Sequence, residues 1–349
     1  MKLFYRNIVF ISLSLLSSIV ISQEKYTLSG IILDQSSNET LIGANIIVSS
    51  LQTGTSSNEY GFYSITLEKG VYEFQVSYLG FKSIVQTISL YKDQTLNFKL
   101  TEDSESLDEI VIVEDVEKLN IRKPQMSLNS LSINTIKQIP VVLGEVDLIK
   151  SITLLPGVTT AGEGASGFNV RGGAVDQNLI LLDEATIFNS SHLFGLFSVF
   201  NPDAIKDIKL YKGGIPAKYG GRVSSVLDIY QKEGNSNTFK MNGGIGLVSS
   251  RLLAEGPIKK EKGSFLFGGR SSYAHLFLPL FNIDNIAYFY DLNTKLSYKL
   301  NNRDNIYLSG YFGRDVFNIS DSFENSYGNT VINFRWNHLF SDKIFSNLS

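Results

Sequence analysis

Ile286-Ala287-Tyr288-Phe289-Tyr290-Asp291-Leu292-Asn293-Thr294-Lys295-Leu296-Ser297-Tyr298-Lys299-Leu300 keeps a two-residue rhythm almost without a break. Its even positions are Ile, Tyr, Tyr, Leu, Thr, Leu, Tyr and Leu, and its odd positions hold every charge. A period of two is the signature of a strand whose faces meet different surroundings. Thr330–His338 repeats the pattern, with Ile332, Phe334 and Trp336 opposing Asn333, Arg335 and Asn337. Ile306, Leu308 and Phe312 oppose Asn305, Ser309 and Asp315 more loosely. Fifteen alternating residues are long for a soluble sandwich, whose strands usually run about 3–10 residues. Strands of roughly 10 residues, apolar outside and polar inside, with Asn, Asp and Gly turns between them, are what a transmembrane β-barrel requires.

Earlier segments have a different texture. Lys2 and Arg6 precede Ile8–Ile21, which is apolar apart from four Ser, and Ser22 supplies a small residue for cleavage. That length suits a signal-peptide core and is too short for a spanning helix, so residues 1–22 are expected to direct export. Residues 23–100 are expected to form a small β-sandwich. Tyr72, Phe74, Val76 and Tyr78 share one strand face, and turn signals recur at Ser36-Ser37-Asn38, Gln52-Thr53-Gly54 and Lys69-Gly70. Residues 101–117 are expected to be a linker: Thr101–Glu109 carries five acidic residues, and the β-branched run Ile110-Val111-Ile112-Val113 follows. Residues 118–232 are expected to be mixed α+β. Helices are predicted over Ser132–Ile139, over Gly144–Leu154 and from Asn201 onward, where Pro202 would occupy the first helical position. Strands are predicted at Leu179–Leu182 and Val226–Ile229.

Composition removes several functions. Lys and Arg number 31 against 34 Asp and Glu, so nothing electrostatic favours nucleic acid. With no Cys there is neither a disulfide nor a thiolate metal site. The three His (His192, His275, His338) lie far apart and match no metal-ligand spacing. The stretches Gly162-x-Gly164, Arg171-Gly172-Gly173 and Lys212-Gly213-Gly214 lack the strand, loop and helix context of a phosphate cradle and read as turns. No nucleophile elbow surrounds Ser190-Ser191-His192. An enzyme is therefore not expected, nor is any cofactor.

The middle of the chain carries the most specific text. Leu154-Leu155-Pro156-Gly157-Val158, Gly167-Phe168-Asn169-Val170-Arg171-Gly172-Gly173 and Asp176-Gln177-Asn178-Leu179-Ile180-Leu181-Leu182-Asp183 occur in order. Phe200-Asn201-Pro202-Asp203-Ala204-Ile205, Tyr211-Lys212-Gly213-Gly214, Tyr219-Gly220-Gly221-Arg222 and Leu227-Asp228-Ile229 follow. This series resembles the plug domain of TonB-dependent outer-membrane receptors. Gly30, Asp34, Leu41-Ile42-Gly43-Ala44, Gly61-Phe62 and Tyr78-Leu79-Gly80-Phe81 resemble the carboxypeptidase-regulatory-like (transthyretin-type) sandwich that precedes the plug in receptors of the Bacteroidetes type. After Asp183 the family usually continues with Gly and soon a Pro. Here Glu184-Ala185-Thr186-Ile187 follows, so a Gly-dependent turn must be remade.

The resemblance implies a mainly β chain: an N-terminal sandwich, an α+β plug, then the first strands of an outer-membrane barrel from residue 235. It implies uptake of a scarce nutrient (siderophore, vitamin, oligosaccharide or peptide) through a pore that the plug blocks. It also implies TonB as the energy-coupling partner, outer-membrane lipid around the barrel, and a surface lipoprotein as a further partner. The segment Asp108-Glu109-Ile110-Val111-Ile112-Val113 is the TonB-box candidate, because a flexible β-branched run can add as a strand to a partner's sheet edge. Arg171 and Arg222 are expected to pair with inward carboxylates of the wall, and Asn189 and His192 to face the external ligand. Gly172, Gly173, Asp183 and Gly220 complete the plug motif. A secreted β-sandwich adhesin is the competing reading. Residues 235–349 number 115, whereas a plugged barrel of about 22 strands, at roughly 10 residues each, takes about 220 residues in strands alone. Five or six wall strands are therefore expected, and the chain is expected to be the front part of a receptor.

Overall fold

The computed structural model describes residues 24–103, 127–137, 139, 145–160, 162, 167–277, 279, 286–319 and 323–349. The export segment and the Asp108–Val113 run lie outside the described residues.

Eight strands form the N-terminal body: β1 (Lys25–Asp34), β2 (Asn45–Val48), β3 (Thr53–Ser56), β4 (Phe62–Glu68), β5 (Gly70–Ser77), β6 (Ile84–Leu90), β7 (Gln94–Thr95) and β8 (Phe98–Leu100). One sheet runs β4-β1-β7 with β8 also on β1, and the other runs β3-β2-β5-β6. Leu28, Ile32, Ile46, Phe74, Val76, Phe98 and Leu100 fill the space between them and are fully buried. Each comes from the inward phase of its strand, which is the ordinary solution for two facing sheets. Gly30 sits where β1 passes close under Leu96. A Cβ there would lie 1.8 Å from the Leu96 carbonyl oxygen, so no larger residue fits.

The second body contains β9 (Leu128–Ser132), α1 (Ile133–Lys137), α2 (Leu148–Ile152), β10 (Val158–Thr160), β11 (Phe168–Val170), β12 (Asn178–Leu182), β13 (Ala185–Thr186), β14 (Ser191–His192), β15 (Phe197–Ser198), β16 (Ile205–Tyr211) and β17 (Ser225–Gln231). Its main sheet has the order β13-β12-β17-β16-β9, with β12 and β17 parallel and the other pairs antiparallel. Strand β17 lies in the middle with every residue buried. The two helices are shorter than the sequence predicts. For α2 the reason is visible: Asp147 accepts from the Lys150 backbone N–H at 2.9 Å and fixes the start. The helix predicted from Asn201 is absent. Asn201 accepts from the backbone N–H of Asp203 (3.0 Å) and of Ala204 (3.0 Å), closing one turn that delivers the chain into β16.

The hairpin from β12 to β13 turns on Asp183 and Glu184 at φ 47° and 73°. Positive φ at both central residues is the two-residue hairpin geometry that favours Asn and Gly. Glu184 therefore keeps the left-handed conformation without being glycine. The neighbouring bodies hold it there: Glu184 accepts hydrogen bonds from the Tyr60 hydroxyl, the Asn347 amide and the Ser349 hydroxyl.

The third body is one antiparallel sheet in chain order: β18 (Lys240–Ile245), β19 (Ser249–Lys259), β20 (Gly263–Ser272), β21 (Ile286–Lys299), β22 (Asp304–Ile319), β23 (Phe323–Ser341) and β24 (Ile344–Leu348). Among the described residues seven strands are present where the sequence predicts five or six. Gly243 and Gly244 interrupt the rhythm of β18, and β24 is too short to show one. In β21 the phases separate cleanly: Asp291, Asn293, Lys295 and Ser297 are buried, whereas Leu292 is 54% exposed. Ile332, Phe334, Phe267 and Leu308 are exposed on the same outer face. The sheet curves around the second body with its polar side inward, the reverse of a soluble fold.

The sandwich sits across one end of this assembly. Ser29 and Thr95 donate to Asp342 in the β23–β24 turn at 2.7 Å each, and Phe62 stacks on Phe345 at 5.3 Å. Thr40 donates to Glu233 at 2.8 Å, and Lys218 pairs with Glu59 at 2.9 Å.

Candidate functional site: the seam between plug and wall

The seam is built by the inward phase of β19–β23 meeting the loops of the second body. Three ionic contacts span it. Lys295 of β21 reaches Asp183 at 3.0 Å, with both side chains almost fully buried. Asp183 also accepts from the Gln231 backbone N–H at 3.0 Å and side-chain amide at 3.2 Å, and Lys295 donates to the Gln231 carbonyl at 2.9 Å. The ammonium and the carboxylate are thus each met by further partners, which is what makes a buried pair tolerable.

The second contact centres on Arg270 of β20. Its guanidinium pairs with Asp291 of β21 at 2.6 Å and with Glu145 ahead of α2, and donates to the Ser198 carbonyl at 2.7 Å. Arg suits three directions at once because its donors form a fixed planar fork. His192 joins the same cluster, with Nδ1 2.8 Å from Asp315 of β22 and Nε2 3.2 Å from Asp291. Its ring stacks on Phe289 at 4.3 Å. Burial pushes the imidazole pKa down, but the hydrogen bonds to Asp291 and Asp315 outweigh it, and the ring sits above its ordinary value. A protonated ring donates from both nitrogens, one to each aspartate.

The third contact joins Asp203 to Arg251 of β19 at 2.7 Å and to Lys137 of α1 at 2.8 Å. Burial raises the Asp203 pKa, and hydrogen bonds from Lys137 and Arg251 overcome that and hold it below its usual value.

Asp315 does more than pair with His192. Its other oxygen accepts the Leu193 backbone N–H at 2.8 Å. Leu193 and Phe194 both take left-handed backbone, at φ 49° and 54°, which costs about 1–2 kcal/mol for each bulky residue. The wall aspartate therefore holds a strained loop, and the half-exposed Phe194 ring lies 4.3 Å from Phe317. Strain of this kind gathers where a segment has work to do.

Several sequence expectations are corrected. Arg171 and Arg222 are exposed and make no ion pair with the wall among the described residues. Arg171 donates to the Ser127 hydroxyl at 2.8 Å and Arg222 to the Gly221 carbonyl at 3.0 Å. The pairing runs both ways: Glu145, Asp183 and Asp203 of the plug meet Arg270, Lys295 and Arg251 of the wall, and His192 of the plug meets Asp291 and Asp315 of the wall. His192 is 1% exposed with both ring nitrogens engaged, so it grips the wall and does not face a ligand. Asn189 is gripped as well, its backbone carbonyl accepting from the Asn329 amide at 2.7 Å. Gly172 (φ 82°) and Gly173 complete the turn after β11, where a Cβ on Gly173 would lie 2.2 Å from the Ser224 hydroxyl. Gly220 stands in open space. Asp183 is the one plug-motif residue that enters the seam.

Glu145, Asp203, Arg251, Arg270 and Asp315 were missed as site residues. The available signal was the register of β21, whose inward phase carries both a carboxylate and an ammonium four residues apart.

Comparison with known proteins agrees with this architecture. The family model of the CarboxypepD_reg-like domain matches residues 28–112, and that of the TonB-dependent Receptor Plug Domain matches residues 123–226. The chain is 28% identical over 228 residues to TonB-dependent receptor SusC of Bacteroides thetaiotaomicron, covering 61% of this chain and 22% of that protein. It is 32% identical over 108 residues to TonB-dependent receptor P3 of Formosa agariphila, covering 31% of this chain and 10% of that protein. The chain thus spans about a fifth or less of these relatives. Among solved structures, the siderophore receptor PirA from Acinetobacter baumannii superposes with a TM-score of 0.46 at 16% identity, covering 61% of this chain and 38% of that one. The copper transporter OprC gives a TM-score of 0.46 at 11% identity, covering 63% and 35%. With two domain matches in the family's order and a polar-lined wall closing on the second of them, the chain belongs to the TonB-dependent receptors of the Bacteroidetes type.

Proposed function

We propose that this chain supplies the sandwich (residues 23–100), the plug (118–232) and the first wall strands (from 235) of an outer-membrane receptor for energy-coupled nutrient uptake. The observation that carries the reading is the inverted sheet. Asp291, Asn293, Lys295 and Arg270 are buried against the plug, while Leu292, Ile332 and Phe334 stand outside. Hydrocarbon accepts that outer face and water does not. Strands of 14, 16 and 19 residues (β21, β22, β23) exceed the roughly 9–11 needed to cross a bilayer. A secreted adhesin would bury the apolar phase instead.

In this reading the wall holds the plug by the three ionic contacts until TonB draws on the segment ahead of β9. That segment contains Asp108–Val113, the proposed TonB box, and the sandwich lies on the periplasmic side. The cargo is a siderophore, vitamin, oligosaccharide or peptide, and a surface lipoprotein is the proposed outer partner. Transport, and not catalysis, is the activity.

Two measurements test this. The protein should partition with outer-membrane fractions and leave them only in detergent; release in salt or alkaline buffer would remove the membrane reading. Ile112→Pro should abolish uptake in cells while surface binding of cargo persists, because proline cannot donate to an added strand. Undiminished uptake would remove the TonB-box assignment.

A further inference from the structure

A cavity of about 490 Å³ lies at the end of the wall that the sandwich covers, between the β21–β22 and β23–β24 turns and the strands of the sandwich. That volume falls within the roughly 300–1,000 Å³ of small-molecule sites. Its lining differs from the rest of the seam because its cations are unspent. Lys299 and Arg303 line it, and among the described residues neither side chain meets a carboxylate. Elsewhere Lys295, Arg270 and Arg251 all pair with acids of the seam.

A second observation is independent of the first. Asn337 backs the same cavity and is 3% exposed, so the amides open to an occupant are those of the sandwich and the turns. On the sandwich side, Asn97 accepts the Ile31 backbone N–H at 2.8 Å through its Oδ1, which leaves its amide hydrogens for another partner. Asn302 and Asn305 add further amides. Asp342 is the one acid of the lining, and its Oδ1 is covered by the Ser29 and Thr95 hydroxyls. Two cations against one carboxylate leave one positive charge in excess.

We propose that this cavity is a binding site for a small hydroxylated monocarboxylate. The carboxylate answers Lys299 and Arg303, and the hydroxyls meet the amides and the free oxygen of Asp342. A bare anion leaves the amides unmet, and a neutral polyol leaves the excess charge unmet. The site would be formed jointly by the sandwich and the wall, so it exists only while the sandwich is docked. It goes beyond the transport reading and requires no statement about which nutrient is carried.

The test is calorimetric titration of the whole detergent-extracted protein with D-gluconate, with inorganic phosphate and sorbitol titrated alongside. Gluconate should bind, and phosphate and sorbitol should bind at least about tenfold more weakly. Lys299→Ala and Arg303→Ala should each weaken gluconate about tenfold, as expected for loss of one charge-assisted hydrogen bond. Neither side chain has an acidic partner among the described residues, so both variants should fold. Asn302→Ala should weaken gluconate less than either cation variant, and Phe188→Ala, near the opposite end of the plug, should leave it unchanged. Absence of gluconate binding, phosphate binding as tight as gluconate, or full affinity in both Lys299→Ala and Arg303→Ala would each overturn the proposal. None of these readings involves TonB or uptake, so the site and the transport function fail separately.

Discussion

The sandwich and the wall sheet draw on the same Tyr, Phe, Ile and Leu and on the same antiparallel pairing, yet they face opposite ways. In the sandwich Phe74 and Val76 meet the other sheet and Glu73 meets water. In the wall Asp291 and Lys295 meet the plug and Leu292 faces outward. The difference lies in what must come apart. An apolar interface loses roughly 25 cal/mol for every Å² that is re-exposed to water. A polar interface exchanges its hydrogen bonds for water at about 0.5–1.5 kcal/mol each. The sandwich is built to persist. The seam is built to hold firmly while dry and to yield once water enters it.

The contrast breaks most severely at Lys295. Lys295→Ala leaves Asp183 buried and unpaired, which should cost about 3–5 kcal/mol, read as faster hydrogen exchange in β12 and β17 of the detergent-extracted protein. The double variant Asp183→Asn with Lys295→Met should regain most of the protection; if it does not, the pair is not what fixes the plug there. Next in size is Leu292→Arg, which should destabilise the wall in bilayers by about 2–4 kcal/mol. Val85→Arg on the exposed face of the sandwich should stay within about 0.5 kcal/mol. Equal effects at the two sites would remove the inside-out reading.

A pH effect should follow at His192. Its pKa is raised in the folded protein, so its contribution is complete below its unfolded value near 6.5 and is lost as pH rises through the higher folded value. The groups facing it are Asp291, Asp315 and the Tyr311 hydroxyl of the wall, with Arg270 beside them. Hydrogen exchange at Leu193 should quicken as pH rises across that window, beyond its ordinary base catalysis, and His192→Gln should remove the excess. Smallest of all should be Glu184→Gly. Relief of the left-handed backbone opposes the loss of the hydrogen bonds from Tyr60, Asn347 and Ser349, and the melting of the plug should change by no more than about 1 kcal/mol.

Much of this fold is legible in the amino-acid sequence, because period-two alternation is a local property. The charge-bearing phase of Ile286–Leu300 already marks Asp291 and Lys295 as a class. What they meet is not local: Asp183 is 112 residues from Lys295, and Glu145 is 125 residues from Arg270. Arg171 and Arg222 misled for a related reason. Arginine beside glycine predicts a charged turn, but the direction of the turn is set by where β11 and β17 lie, and both point to solvent. The predicted helix at Asn201 failed because the Asn side chain closed a single turn before a second could form.

Strand β9 gives the seam an order of events. It is an edge strand of the plug sheet, with Leu128, Asn129 and Leu131 half-exposed, and among the described residues it pairs with β16 alone, in the register Leu128↔Tyr211 to Ser132↔Asp207. Load applied from the N-terminal side enters at Ser127, which Arg171 and the Lys212 backbone N–H fasten. Loaded from one end, an antiparallel edge strand peels rung by rung, whereas a strand loaded in shear must lose all its bonds together. Arg171 would give first, then the five residues of β9, then the knot of Lys137, Asp203 and Arg251, and only afterwards Glu145 and Arg270. The buried contacts would thus meet the force singly and in chain order, so a modest steady pull could open a seam that resists any uniform push.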